Sequence, residues 1–359
     1  MVATILFFIA GLLLLIGGAE LLVRGASALA GRLGMTPLVI GLTVVAFGTS
    51  APELAISLQS GIAGEDALLL GNVIGSNIFN VLFILGISAM LAPLIVSKNL
   101  IKLDVPLMIG ASILLYFFAW DGTISRIEGG ILFVLLLTYI GFLIYDARKQ
   151  HNAQSKDEST QSAESKSRYW VWDAAFVIAG FVLLVIGARW LVDGAVIFAE
   201  YLGVSSLIIG LTIVAAGTSL PEVATSILAS IKGERDLAVG NIVGSNLFNI
   251  MCIIGLTAII LPGGIVVQPG VVGFDIPVMI AASIVCLPIF ITDSLISRWE
   301  GIFFLGYYIA FTVYLILTAT EHHLLPYFNT AMGWFVLPMT LMTGLFMLVR
   351  EWKNGTRNI

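Results

Sequence analysis

Charge is what this sequence has least of. Only 11% of its 359 residues are Asp, Glu, Lys or Arg, while 59% are hydrophobic and the mean hydropathy is +1.04. A soluble globular protein carries about 25% charged residues, so this chain is composed to dissolve in lipid. It has two cysteines, Cys252 and Cys286, too few for a disulfide framework or a metal cluster. Its three histidines, His151, His322 and His323, fall in connecting segments, which argues against His-ligated metal catalysis. There is no H-E-x-x-H and no membrane Asp pair, so nothing points to an intramembrane enzyme. A net charge of −5 excludes nucleic-acid binding as a main role.

What fills the chain instead is apolar runs of at least about 17 residues, each able to cross a hydrocarbon core of roughly 30 Å. The predicted spans are 3–26, 36–61, 67–93, 104–119 and 127–146, then 170–199, 205–231, 236–262, 272–291 and 298–319, with a further one at 327–349. Period-two strand patterns are absent, so the expected class is an all-α polytopic membrane bundle. The first run lacks a basic leader region and aligns with 170–199, so it is expected to remain in the mature protein rather than act as a signal peptide. Only 148–168 reads as a linker, rich in Ser, Gln, Lys and Glu. The expected organisation is therefore a five-span unit at 1–147, a cytoplasmic linker at 148–168, a second five-span unit at 169–319, and an extra helix with a cytoplasmic tail at 320–359.

Two stretches repeat. GLTVVAFGTSAPEL (Gly41 to Leu54) and GNVIGSNIFN (Gly71 to Asn80) return as GLTIVAAGTSLPEV (Gly210 to Val223) and GNIVGSNLFN (Gly240 to Asn249). A constant offset of 169 (210 − 41) aligns Gly41–Gly86 with Gly210–Gly255 without a gap, about half of the positions being identical. Five spans per unit is an odd number, so the second copy must enter the membrane upside down. Placing the N-terminus outside puts nearly every basic residue on the cytoplasmic side, including Arg24, Arg32, Lys98, Lys102, Arg148, Lys149, Lys232, Arg235 and Arg298. Arg126 and Arg189 are the exceptions. The loop Ala63 to Asp66 becomes Lys232 to Arg235 in the second copy, gaining two positive charges on the face predicted to be cytoplasmic.

Each copy puts a Glu, a Pro and a group of Ser, Thr and Asn inside an apolar span. A carboxylate at that depth costs several kcal/mol and marks a functional site. Pro52 lacks an N–H, so the carbonyl of Gly48 loses its helical partner and carbonyls from Ala46 to Thr49 can turn elsewhere. Thr49, Ser50 and Glu53 lie one turn away, and Thr218, Ser219 and Glu222 repeat them. The competing reading is a capping box, Ser50 with Glu53 and Ser219 with Glu222, which satisfies the new helix start and nothing more. Asn72, Ser76 and Asn80 share one helical face, as do Asn241, Ser245 and Asn249. Plain interhelical hydrogen bonding is the bland alternative for them, and close packing is the expected role of Gly71, Gly75, Gly240 and Gly244. Together these are oxygen donors without Cys or His, which suits a hard cation such as calcium or sodium. Duplicated, broken, carboxylate-bearing spans favour a secondary transporter with alternating access over a cation channel, the reading from a different class.

GTS-x-PE and GSN-x-F-N in two copies resemble the cation/calcium exchanger superfamily, specifically prokaryotic sodium/calcium exchanger-like antiporters. The resemblance covers Met1 to about Thr318. It implies ten core helices in inverted halves, a site formed by spans 2, 3, 7 and 8, and sliding of spans 1 and 6 against that core. By motif position it implies ion ligands at Ala46, Thr49, Ser50, Glu53, Ser76 and Asn80, and at Ala215, Thr218, Ser219, Glu222, Ser245 and Asn249. It also implies carried ions, calcium and sodium, with no cofactor and no protein partner, in the cell (inner) membrane. Many relatives have Asp where this chain has Asn249. Proton-coupled relatives usually carry an acid in the partner motif, as in GN-x-x-E, which is absent here. Calcium exchange for protons or potassium is the alternative within transport.

Overall fold

The computed structural model describes residues 2–154, 170–203, 209, 213, 215–291 and 294–336. Helices α1 (Val2–Leu33), α2 (Pro37–Thr49), α3 (Ala51–Ile62), α4 (Asp66–Leu91), α5 (Leu100–Ala119) and α6 (Arg126–Gln154) form the first unit. The second unit holds α7 (Trp170–Tyr201), α8 (Ala215–Gly217), α9 (Leu220–Ile231), α10 (Arg235–Ile260), α11 (Val271–Ile291) and α12 (Arg298–Ala319). A short helix, α13 (Leu325–Ala331), follows. Among the described residues eight helices are long and apolar enough to cross a bilayer, nine if the bent pair α2 and α3 counts as one span. The eleven expected spans are thus not all visible, because 205–231 begins and 327–349 ends outside the described residues.

Two boundaries differ from expectation for local reasons. Helix α1 runs to Leu33 rather than 26, stopping where Gly34 takes a left-handed φ of 64° and Met35 N–H reaches back to the Ala30 carbonyl at 2.9 Å. Helix α6 continues to Gln154, so the predicted linker starts as helix, and the rest of 148–168 lies outside the described residues. Charged residues beyond the apolar run do not end a helix that needs no burial there.

The bundle has a buried centre and an exposed apolar rim. In α10 89% of the most apolar stretch is buried and in α4 72%, against 28% for α1 and 6% for α12. Leu13 and Ile178 are more than half exposed on α1 and α7, while Trp120, Trp172 and Trp299 stand exposed at helix ends, the usual interfacial place for indoles.

The two units meet reciprocally. A Cβ on Gly11 would strike the Gly187 carbonyl and one on Gly187 the Gly11 carbonyl, and Gly18 and Gly180 oppose each other in the same way. Gly18 is the counterpart of Gly187 and Gly11 of Gly180, so equivalent helices α1 and α7 run antiparallel with their backbones in near contact. Gly86 of α4 meets Gly301 of α12, and Gly255 of α10 meets Gly129 of α6. Short strands repeat the exchange: β1 (Leu94–Ile95) pairs antiparallel with β4 (Leu295–Ile296), and β2 (Thr123–Ile124) with β3 (Ile265–Val266). Each pairing crosses from one unit to the other, as a two-fold relation requires.

Candidate functional site

Helix α2 bends by 45° into α3 across Ser50, whose φ and ψ are −81° and 4°. Pro52 sits in the first turn of α3, where its missing N–H does no harm, so one residue both ends the old helix and starts the new one. This puts Glu53 in the first turn, at the positive end of the α3 dipole. Ser219, at φ −90° and ψ 9°, Pro221 and Glu222 repeat the arrangement at the start of α9. Both carboxylates are buried, Glu53 at 0% and Glu222 at 1% exposure.

The two breaks face each other and exchange partners. Ser219 Oγ donates to Glu53 Oε1 at 2.9 Å, and Ser50 Oγ donates to Glu222 Oε1 at 3.2 Å. Ser219 Oγ also lies 3.1 Å from Ser76 Oγ. Neither serine caps its own helix through its side chain, so the capping-box reading fails at both breaks. The Ser50 N–H explains why: it already reaches the Ala46 carbonyl at 3.0 Å, leaving Glu53 no orphan donor to satisfy. The same bond corrects the expectation that the Ala46 carbonyl is freed by the break. Ala215 opens the short helix α8.

The predicted residues divide into two kinds. Thr49 Oγ1 lies 3.1 Å from Asn241 Oδ1, and Asn241 Nδ2 donates to Ser226 Oγ at 2.9 Å. In the other unit Thr218 Oγ1 lies 3.4 Å from Asn72 Oδ1, and Asn72 Nδ2 donates to Ser57 Oγ at 2.9 Å. These bonds tie helices together, so for the Asn72 and Asn241 end of each stripe the bland reading holds. At the other end, Glu53 Oε2, Glu222 Oε2, Asn80 Oδ1, Asn249 Oδ1 and Ser245 Oγ are buried without any hydrogen-bond partner. All five residues are at most 1% exposed. An unmet buried acceptor costs about 1–3 kcal/mol, more when charged, so each of these oxygens calls for something that satisfies it. Among the described residues no three His, Cys, Asp or Glu side chains converge, so two carboxylates and neutral oxygens are what the site offers.

Sequence reasoning missed two features. Asn80 opens a π-helical stretch, Asn80–Ile84, and Asn249 lies in another, Phe248–Ile254. Widened turns of this kind are common at functional sites, and no sequence pattern announced them. The other omission is the first Asn of each GSN motif. Asn249 Nδ2 donates to Asn77 Oδ1, and Asn80 Nδ2 to Asn246 Oδ1, both at 3.0 Å. The signal was present, since both copies contain that Asn.

Comparison with known proteins bears on the family and the fold. The sodium/calcium exchanger protein family matches residues 3–145 and 172–317. CaxA of Alkalimonas amylolytica is 39% identical over 295 residues, covering 80% of this chain and 89% of its own. The sodium/calcium exchanger MaX1 of Methanosarcina acetivorans is 33% identical over 319 residues, covering 80% and 91%. A solved structure of the sodium-calcium exchanger NCX_Mj, soaked with 10 mM Na+ and zero Ca2+, superposes with a TM-score of 0.73 at 30% identity, covering 86% of this chain and 97% of that one.

Proposed function

Because this chain belongs to the sodium/calcium exchanger family and has its fold, we propose that it exchanges sodium for calcium by alternating access, with calcium held between Glu53 and Glu222. The observation that carries this reading is the set of orphaned, buried oxygens on Glu53, Glu222, Asn80, Asn249 and Ser245. Calcium takes about 6–8 oxygens in flexible geometry, and sodium accepts the same hard donors. Two carboxylates neutralise one divalent ion, which makes its passage through lipid electrostatically feasible. Ser50, Ser219 and Ser76 complete the shell, while Thr49, Thr218, Ala46 and Ala215 border it along the helix breaks.

Access follows from the packing. A Cβ at Gly48 would fall on the Phe181 ring and one at Gly217 on Val192, so α7 covers both breaks. The sliding of α1 and α7 against the core that the family resemblance implies would uncover one break while closing the other. A cavity of about 160 Å³ at one end of α2 is lined by Thr36, Asn99, Asp104 and Asp146 together with Leu38, Leu42, Leu103, Phe142 and Leu143. With the N-terminus outside, that end is cytoplasmic and the two units are inverted. Ala63→Cys then reacts with an impermeant thiol reagent from outside, and the equivalent Lys232→Cys only after permeabilisation.

The functional test is calcium-45 uptake into proteoliposomes under an imposed sodium, potassium or proton gradient. Uptake driven by outward sodium alone is the expected result. Uptake driven by protons or potassium and indifferent to sodium overturns the choice of coupling ion. Flux that dissipates without coupling to any gradient makes the protein a channel.

A further inference from the structure

An asparagine offers a cation site an oxygen only if its amide nitrogen is held elsewhere. The side-chain amide has an accepting end and a donating end, and a half-turn about its last bond exchanges them. An N–H aimed at a cation repels it. At both positions of interest the nitrogen is held by another asparagine. Asn249 Nδ2 gives its proton to Asn77 Oδ1, and Asn80 Nδ2 to Asn246 Oδ1, each across the boundary between the two units. What remains of Asn80 and Asn249 is an oxygen with no donor near it.

The two holding amides are themselves fixed. Asn77 Nδ2 points at Met279 Sδ at 3.4 Å, and Asn246 Nδ2 at Met108 Sδ at 3.5 Å and the Asn77 carbonyl at 3.4 Å. Both residues are 1% exposed, so water cannot replace these partners. A thioether is a weak acceptor. A half-turn of Asn77 therefore gives up little at the sulfur but sets an N–H₂ against the N–H₂ of Asn249. Turning one amide alone is thus disfavoured, while turning both would aim the Asn249 N–H₂ at the site, so Asn77 couples the two orientations at 249. At position 80 the extra bond from Asn246 Nδ2 to the Asn77 backbone carbonyl holds the arrangement that points oxygen inward.

We propose that Asn77 and Asn246 are positioning residues that set the polarity presented to the ion at positions 249 and 80. The inference rests on the cation site proposed above. It also makes position 249 and Asn77 a matched pair. A carboxylate at 249 shows oxygen to the site whichever way Asn77 is turned, so it needs no orienting. The orienting contribution of Asn77 therefore depends on what occupies 249.

The test is a double-mutant cycle read by calcium-45 uptake against a sodium gradient. Wild type, Asn77→Leu, Asn249→Asp and the double variant are compared. Asn77→Leu should raise the calcium concentration for half-maximal flux about 10-fold with little change in maximal flux, as loss of an outer-shell partner does. In the Asn249→Asp background the same change should shift it by less than about twofold, because a carboxylate shows oxygen on both sides and needs no orienting. An equal rise in both backgrounds overturns the proposal and leaves Asn77 a packing residue. Should Asn77→Leu not give monodisperse protein, the mirror cycle of Asn246→Leu with Asn80→Asp reads the same coupling. Calcium titration calorimetry on detergent-solubilised protein replaces flux wherever turnover is too slow. Glu53→Gln is the separating control: if it leaves flux intact the cation site itself is wrong, and if it abolishes flux while the cycle is additive only the positioning role is.

Discussion

Ser50–Glu53 and Ser125–Glu128 are the same four-residue pattern with opposite fates. At the start of α6, Ser125 N–H donates to Glu128 Oε2 at 2.7 Å and Glu128 N–H donates to Ser125 Oγ at 3.3 Å, a closed local box. Ser297 and Glu300 build the same box at the start of α12. At the break before α3 nothing closes locally: Ser50 sends its hydroxyl to Glu222, and Glu53 receives Ser219. The difference lies in what precedes the serine. A true helix start leaves the backbone amides unmet, so the carboxylate is drawn back to them. Behind Ser50 stands α2, whose Ala46 carbonyl already takes the Ser50 N–H. The carboxylate is released to look across the molecule, and the motif becomes half of a site.

The strongest way to break that comparison is to neutralise the acids. Glu53→Gln or Glu222→Gln should lower calcium flux about 100-fold or more, since losing one member of a buried charge arrangement is worth roughly 3–5 kcal/mol. Thermal stability measured in parallel should not fall, because no helix cap is lost. A stability loss with flux intact would return both residues to the capping role.

A smaller effect is expected one bond further out. Ser50→Ala and Ser219→Ala each remove a donor to a carboxylate, a bond worth about 1.5–3 kcal/mol, so half-saturating calcium should rise tenfold or somewhat more. The two variants should behave alike if the site is as two-fold as its geometry. Ser219 also touches Ser76, while Ser245 has no partner, so any excess loss in Ser219→Ala measures that asymmetry.

The surface boxes supply the opposite signature. Ser125→Ala or Ser297→Ala should cost about 1 kcal/mol of stability in chemical denaturation and leave flux unchanged. Smaller again is the expected result for Asn249→Asp, which keeps transport but steepens its decline as pH falls. Three carboxylates close together share protons more readily than two, so flux from about pH 8.5 down to 6 should drop faster than in wild type. Superimposable profiles would place position 249 away from the ion.

Much of the fold was legible because it is written in local terms. Whether a run such as 170–199 enters lipid depends on the transfer energies of its own residues, and Pro52 and Pro221 break their helices wherever those helices lie. The duplication was legible too, since the 169-residue offset is a property of the string. Helix ends were less so: Gly34 rather than the last apolar residue stops α1, and α6 runs on to Gln154 past the end of its apolar stretch.

The candidate site shows where the string stops. The sequence alone picked out Glu53, Glu222 and the Ser and Asn stripes, because a polar group in a lipid-soluble segment is conspicuous without its neighbours. It could not tell Asn72, which braces Ser57, from Asn80, whose oxygen is left bare, although both sit on one face of one helix. Nor could it separate the Ser50 pattern from the Ser125 pattern. In each case the deciding partner comes from elsewhere in the fold: Asn246 for Asn80, Glu222 for Ser50. Burial is the sum of what a segment contains, but a hydrogen bond has a direction, and direction exists only once the second group is in place.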